Sequence, residues 1–131
     1  MTHNDYMQIA EIVASSSYCT RAKVGAIIEK DGNIIAIGYN GTPSGWENKC
    51  EDENGITKYE VLHAESNAIA KCARTGVSSK GGTMYVTHMP CLDCAKLIIQ
   101  AGIEAVYYRN EYRMITGIDV LETHGITCEK I

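Results

Sequence analysis

The sequence is short of the features that mark several large protein classes. No apolar run approaches the length needed to span a bilayer. The opening residues, MTHNDYMQIAEIV, have neither the basic start nor the apolar run of a secretory signal. Positive charge is not in excess either. The formal net charge is −4, which argues against a non-specific grip on polynucleotides, since that needs a basic surface. A few local Arg and Lys could still hold a small anion. There is no internal repeat and no low-complexity tract. These absences lead to the expectation of a cytoplasmic protein with neither a membrane nor a polynucleotide as partner.

What is present fits one globular unit. The chain has 131 residues, 45% of them hydrophobic, and residues 1–131 are expected to form a single domain. That length is above the range where metal or disulfide staples become obligatory, so a metal is expected to do chemistry. Six cysteines are present: Cys19, Cys50, Cys72, Cys91, Cys94 and Cys128. Without a secretory signal, metal binding or plain burial is the expected use. Only Cys91 and Cys94 stand at a ligand spacing, C-x-x-C. Cys72 and Cys128 read as small buried hydrophobes.

Periodicity and punctuation outline the elements. Thr2 or Asn4 can cap a first helix with Tyr6, Ile9, Ala10 and Val13 on one face, fading at the serines 15–17. Residues 24–29 and 33–39 read as strands, and Asp31–Gly32 between them is a hairpin signal. Residues 40–54 read as a long loop, of a length that is usually functional or flexible. A helix is predicted from near Leu62 to about Arg74, closed by Gly76. Residues 83–87 read as a strand. Pro90 and Cys91 open a further helix, ended by Gly102. Residues 105–108 form a strand, 114–123 a helix, and 126–131 a last short strand. Strands alternating with helices imply a sheet covered on both faces. The predicted fold is a three-layer α/β/α domain with a mixed five-stranded sheet.

Two predicted helix starts carry the chemistry. One bears His63-Ala64-Glu65 and the other Pro90-Cys91-Leu92-Asp93-Cys94. Residues three apart share a helical face, so Cys91 and Cys94 can hold one ion, with His63 as third ligand from the facing helix. Two sulfurs and one nitrogen suit zinc, and three protein ligands leave a fourth position for water. Positive partial charge at both helix starts favours thiolates. Glu65 is two residues past His63, a rotation of roughly 200° in a regular helix. At a first turn both can still border one pocket, so Glu65 reads as a proton carrier beside the water and not as a ligand.

His-x-Glu followed by Pro-Cys-x-x-Cys is the signature of zinc nucleobase deaminases. The chain resembles the deoxycytidylate (dCMP) deaminase family, within the cytidine deaminase-like superfamily. The resemblance rests on SYCTRAKVGAII (17–28), GYNGTPSGWENKC (38–50), LHAESNAIAKCAR (62–74), TMYVTHMPCLDCAKLIIQAGI (83–103) and the tyrosines ending at Tyr112. These segments cover about half the chain. The resemblance implies hydrolytic attack at C4 of cytosine, turning dCMP into dUMP and ammonia. It implies one catalytic Zn2+ on His63, Cys91 and Cys94. It makes Glu65 the acid/base that protonates N3 and then the departing ammonia. It places Asn40 against the sugar or base of the nucleotide, and Arg21 and Tyr112 against its 5′-phosphate. Arg suits that task through its planar fork of donors.

The family is also typically activated by dCTP and inhibited by dTTP at a subunit interface that uses the GYNG loop. That implies an effector or interface role for Gly41 and Arg74, Mg2+ as companion of a bound triphosphate, and a homo-oligomer, commonly a hexamer. Some relatives hold a second, structural zinc with cysteines in the Cys19 and Cys50 segments plus two histidines inserted before HAE. Residues 51–62 here contain no histidine, which leaves Cys19 and Cys50 as nearby thiols or a disulfide.

Bland and rival readings remain beside these. Arg21 could be a solvated surface charge, Asn40 a turn residue, Tyr112 a packed aromatic, and the metal cluster purely structural. Nucleoside cytidine deaminases usually have cysteine where this chain has His63. A tRNA adenosine deaminase would need a basic surface. Deaminases of guanine or riboflavin precursors are disfavoured by the GYNG and CTR segments. A non-catalytic DNA-uptake module has no need of Glu65.

Overall fold

The computed structural model describes residues 1–131. Helix α1 (His3–Ala14) starts at Thr2, whose hydroxyl accepts the Asp5 N–H while the Asp5 carboxylate accepts the Thr2 N–H. This reciprocal cap satisfies two of the orphan donors of a helix start. Strands β1 (Gly25–Lys30) and β2 (Asn33–Tyr39) form the hairpin expected from the sequence. The turn is Asp31–Gly32 alone, both at positive φ (52° and 82°), the backbone that a two-residue hairpin turn demands. Then come α2 (Ala64–Thr75), β3 (Thr83–His88), α3 (Leu92–Gln100), β4 (Ala105–Asn110), α4 (Thr116–Thr123) and β5 (Thr127–Lys130). No helix is long and apolar enough to cross a membrane.

The strands form one mixed sheet in the order β2-β1-β3-β4-β5. β1 pairs antiparallel with β2 and β3, while β3, β4 and β5 run parallel. Period-two alternation divides the side chains between two cores. Ala26, Ile28, Met84 and Val86 enter the larger core under α2, α3 and α4. Ile27 and Tyr85 point the other way and pack with Tyr6, Met7, Ala10 and Val13 of α1. The three-layer α/β/α fold read from the sequence is the fold observed.

Boundaries differ from expectation where the site lies. The second helix begins at Ala64 and not near Leu62, with His63 in extended conformation as its cap. The third begins at Leu92 with Cys91 as cap, so Pro90 precedes the cap instead of occupying the first turn. His63 and Cys91 therefore stand just outside their helices, free of helical φ/ψ, while Cys94 lies in the first turn of α3. The loop after β2 runs on to residue 63, pinned by bridges Gly41–Leu62 and Glu51–Thr57.

Two glycines let other elements close on these helix starts. A Cβ at Gly38 would collide with the backbone of Ala64 and Ala68, and one at Gly117 with that of Pro90 and Cys91. Any side chain at either position would push a helix start away from its support.

Candidate active site

β2, β3 and β4 run in the same direction, so the chain crosses over through α2 before β3 and through α3 after it, and both helices pack into the same core. Their N-terminal ends meet. The Nδ1 of His63 lies 3.5 Å from Cys91 Sγ and 3.3 Å from Cys94 Sγ. All three ligand atoms fall within 4.8 Å of one another. A tetrahedral zinc, with bonds of about 2.3 Å to sulfur and about 2.0 Å to nitrogen, needs its donors about 3.5 Å apart. The donor set fits that ion in identity and spacing.

The electrostatics agree. The Cys94 thiol and the His63 imidazole bond to Cys91 and hold its pKa down to about 4. The contact to Cys91 raises the His63 pKa against the opposing effect of burial. Cys94 is pushed upward by its bond to the Cys91 thiolate and by burial. Left to themselves, the three side chains thus share protons as one cluster, which is what soft metal ligands at two helix N-termini should do.

Glu65 is in the first turn of α2 and only 4% exposed. Burial raises its pKa to about 7, opposed by its own backbone N–H and by the charge of His63. A carboxyl poised near neutrality can both take and give a proton.

A cleft of about 330 Å³ opens over this cluster. It is lined by His63, Glu65, Cys91 and Tyr112, together with Arg21, Asn40 and Glu51 from the loops. The structure therefore brings Arg21, Asn40 and Tyr112 to the same cavity as the metal-ligand set. Arg21 is exposed and has no ion-pair partner. Tyr112 is 47% exposed and stacks on His88, ring centroids 5.5 Å apart. Its phenol pKa is raised, first by burial and then by the charges of Glu65 and the cysteines.

The Asn40 amide does more structural work than the sequence suggested. Its Oδ1 accepts the Val24 N–H at 2.9 Å and its Nδ2 donates to the Ala22 carbonyl at 2.8 Å. An amide has a second N–H and a second lone pair, so capacity for a ligand remains. Gly41 and Arg74 do not line the cleft. Gly41 pairs through its backbone with Leu62, and Arg74 is exposed in the last turn of α2.

Three features were not fixed by the sequence, which left Cys19 and Cys50 as nearby thiols or a disulfide. Cys19 and Cys50 are joined as a disulfide, with Cα atoms 5.1 Å apart. Beside it, the buried Glu51 carboxylate accepts the Thr20 and Arg21 N–H groups at 3.1–3.3 Å. Burial alone would raise the Glu51 pKa, but these N–H bonds outweigh it and hold the group below its ordinary value. Cys19–Cys50 and Glu51 thus fasten the Arg21 loop to the loop after β2. The third feature is His88, which lines the cleft. No spacing motif marks any of these, since each depends on where loops land.

A mixed α/β/α sheet with a His/Cys/Cys set and a buried glutamate on two helix starts defines the class of zinc-dependent nucleobase deaminases. Comparison with known proteins narrows the class. The family model described as the cytidine and deoxycytidylate deaminase zinc-binding region matches residues 1–110. The chain belongs to that family. It is 37% identical over 154 residues to the deoxycytidylate deaminase of Enterobacteria phage T4, covering 86% of this chain and 79% of that protein. It is 40% identical over 131 residues to ComE operon protein 2 of Bacillus subtilis (strain 168), covering 96% of this chain and 69% of that protein. Among solved structures, the dCMP deaminase of cyanophage S-TIM5 in complex with dCMP and dUMP matches with a TM-score of 0.94 and 52% identity. That match covers 98% of this chain and 95% of the other.

Proposed function

We propose that residues 1–131 act as one zinc-dependent deaminase unit that hydrolyses dCMP to dUMP and ammonia. One observation carries the reading: His63 and Cys91 of the His63/Cys91/Cys94 set, the buried Glu65 and Arg21 line a single cleft. The 52% identity to a deaminase crystallised with dCMP and dUMP supports the choice of substrate.

In this reading His63, Cys91 and Cys94 hold the zinc. A zinc ion on three protein ligands supplies an activated water near neutral pH. Glu65 takes the proton of the attacking water and delivers it to N3 of cytosine. It then carries a second proton to the 4-amino group, which leaves as ammonia while C4 gains its carbonyl oxygen. Its buried carboxyl, with a pKa near 7, is matched to both tasks. Arg21 pairs with the 5′-phosphate, Tyr112 lies beside it, and Asn40 holds both the Arg21 loop and the sugar or base. The −4 charge of the chain is compatible with a free nucleotide and unsuited to RNA.

The same reading extends to control. dCTP would activate and dTTP inhibit in a homo-oligomer, a hexamer in the family pattern, with Gly41 and Arg74 near the effector or subunit contact. Mg2+ would accompany a triphosphate effector.

Two experiments test these parts separately. Incubation with dCMP should yield equal amounts of dUMP and ammonia. A chelator should abolish this and added Zn2+ restore it; turnover that persists after complete zinc removal refutes the mechanism. dCMP saturation curves that coincide with and without dCTP and dTTP would refute effector control.

A further inference from the structure

His88 ends β3 and has no role in the reaction described above. Its ring is half-buried on the wall of the cleft, in the company of Glu65 and Tyr112. A histidine at a strand end is often a simple packing residue. Here its protonation is set from behind. The Gly25 N–H donates to Thr87 Oγ1 at 3.1 Å. That same oxygen lies 3.2 Å from Nδ1 of His88, and Thr87 is only 4% exposed. A hydroxyl has one proton to give and two lone pairs. The Gly25 N–H takes one lone pair, and Nδ1 is the one acceptor that the Thr87 side chain meets. A proton on Nδ1 would strand the hydroxyl hydrogen, buried and without a partner, a situation that folded proteins avoid. The hydroxyl therefore donates to Nδ1, and the ring proton belongs on Nε2. Burial also lowers the His88 pKa, which keeps the ring neutral near pH 7. Stacking on Tyr112, with ring planes 21° apart, fixes its plane.

We propose that His88 is a specificity-determining residue of the cleft: a neutral imidazole, oriented by Thr87 and Tyr112, whose Nε2–H donates to an acceptor oxygen of the bound nucleotide. This rests on the reading of the cleft as a dCMP site. The acceptor is the C2 carbonyl of the base or an oxygen of the 5′-phosphate. Deamination at C4 alters neither, so substrate and product keep the contact equally. Such uniform binding acts on KM and on product affinity and leaves kcat nearly untouched.

The test uses the zinc-loaded full chain and the variants His88→Leu, which removes the donor, and His88→Gln, which keeps an N–H near the Nε2 position. Nitrogen-15 NMR of the wild type should show Nδ1 bare and Nε2 protonated at pH 7. His88→Leu should weaken dUMP binding, measured by calorimetry, and raise KM for dCMP on the order of tenfold, with kcat within about twofold. His88→Gln should recover dUMP affinity to within about threefold of wild type. A KM rise shared by deoxycytidine identifies the C2 carbonyl as acceptor, and one confined to dCMP identifies the phosphate. A proton on Nδ1, unchanged dUMP affinity in His88→Leu, or equal losses in the Leu and Gln variants would each overturn the proposal. The NMR and dUMP measurements need no turnover, so they judge His88 even if the wild type fails to deaminate dCMP.

Discussion

The two walls of the cleft are built in different ways. The metal wall comes from two helix starts, with His63 and Cys91 as caps and Glu65 and Cys94 in the first turns. The facing wall comes from loops around residues 17–24 and 40–63, held by the Cys19–Cys50 disulfide, the Glu51 carboxylate and the Asn40 amide. Helix starts are fixed by local geometry, and they bring positive partial charge that suits thiolates. Loops have no such periodic frame and need individual clamps. The proposed function divides the labour along the same line, with the reaction assigned to the first wall and the choice of molecule to the second.

That division can be broken from either side. The largest effect should come from Glu65→Gln, which leaves the ligands in place. Loss of the proton carrier should lower kcat on the order of 10²–10⁴-fold, with zinc content unchanged by atomic absorption. Turnover near wild type would remove Glu65 from the acid/base role. Next comes Arg21→Ala on the facing wall. Loss of a charged hydrogen bond is worth roughly 1.5–3 kcal/mol, so kcat/KM for dCMP should fall on the order of 10–100-fold while deoxycytidine is unaffected. Parallel losses on both substrates would deny Arg21 its phosphate.

The smallest effect in this series should follow Gly117→Ala or Gly38→Ala. Each added methyl meets the backbone of a ligand-bearing helix start. Overpacking of this kind costs about 1–3 kcal/mol, seen as a lower denaturation midpoint, and it should weaken zinc retention as well. Unchanged stability and zinc retention would show that the two helix starts tolerate displacement.

The sequence was most legible where local rules decide. The hairpin at Asp31–Gly32, the closure of α2 at Gly76 with φ of 76° and the mixed sheet all follow from turn chemistry and hydrophobic period. The grouping of His63, Cys91 and Cys94 was legible because their placement at helix starts is itself the geometry of a metal site, and Glu65 because it stands in the first turn after His63. The offsets at Leu62 and Pro90 arose because a cap residue and a first-turn residue look alike in sequence. Glu51 and His88 were illegible for a different reason. Their partners are the N–H groups of Thr20 and Arg21 and the ring of Tyr112, contacts that exist only after distant loops have landed. Gly38 and Gly117 read as ordinary small residues until the helices they admit are in place.

The most direct test of this account is an ultraviolet deamination assay on one preparation with dCMP, deoxycytidine, CMP, dCTP and an RNA hairpin. The metal wall alone would allow any cytosine or adenine substrate. The two walls together predict that dCMP has the highest kcat/KM, that deoxycytidine falls well below it, and that the hairpin is inert. Equal kcat/KM on dCMP and deoxycytidine, or faster deamination of the hairpin, would contradict it.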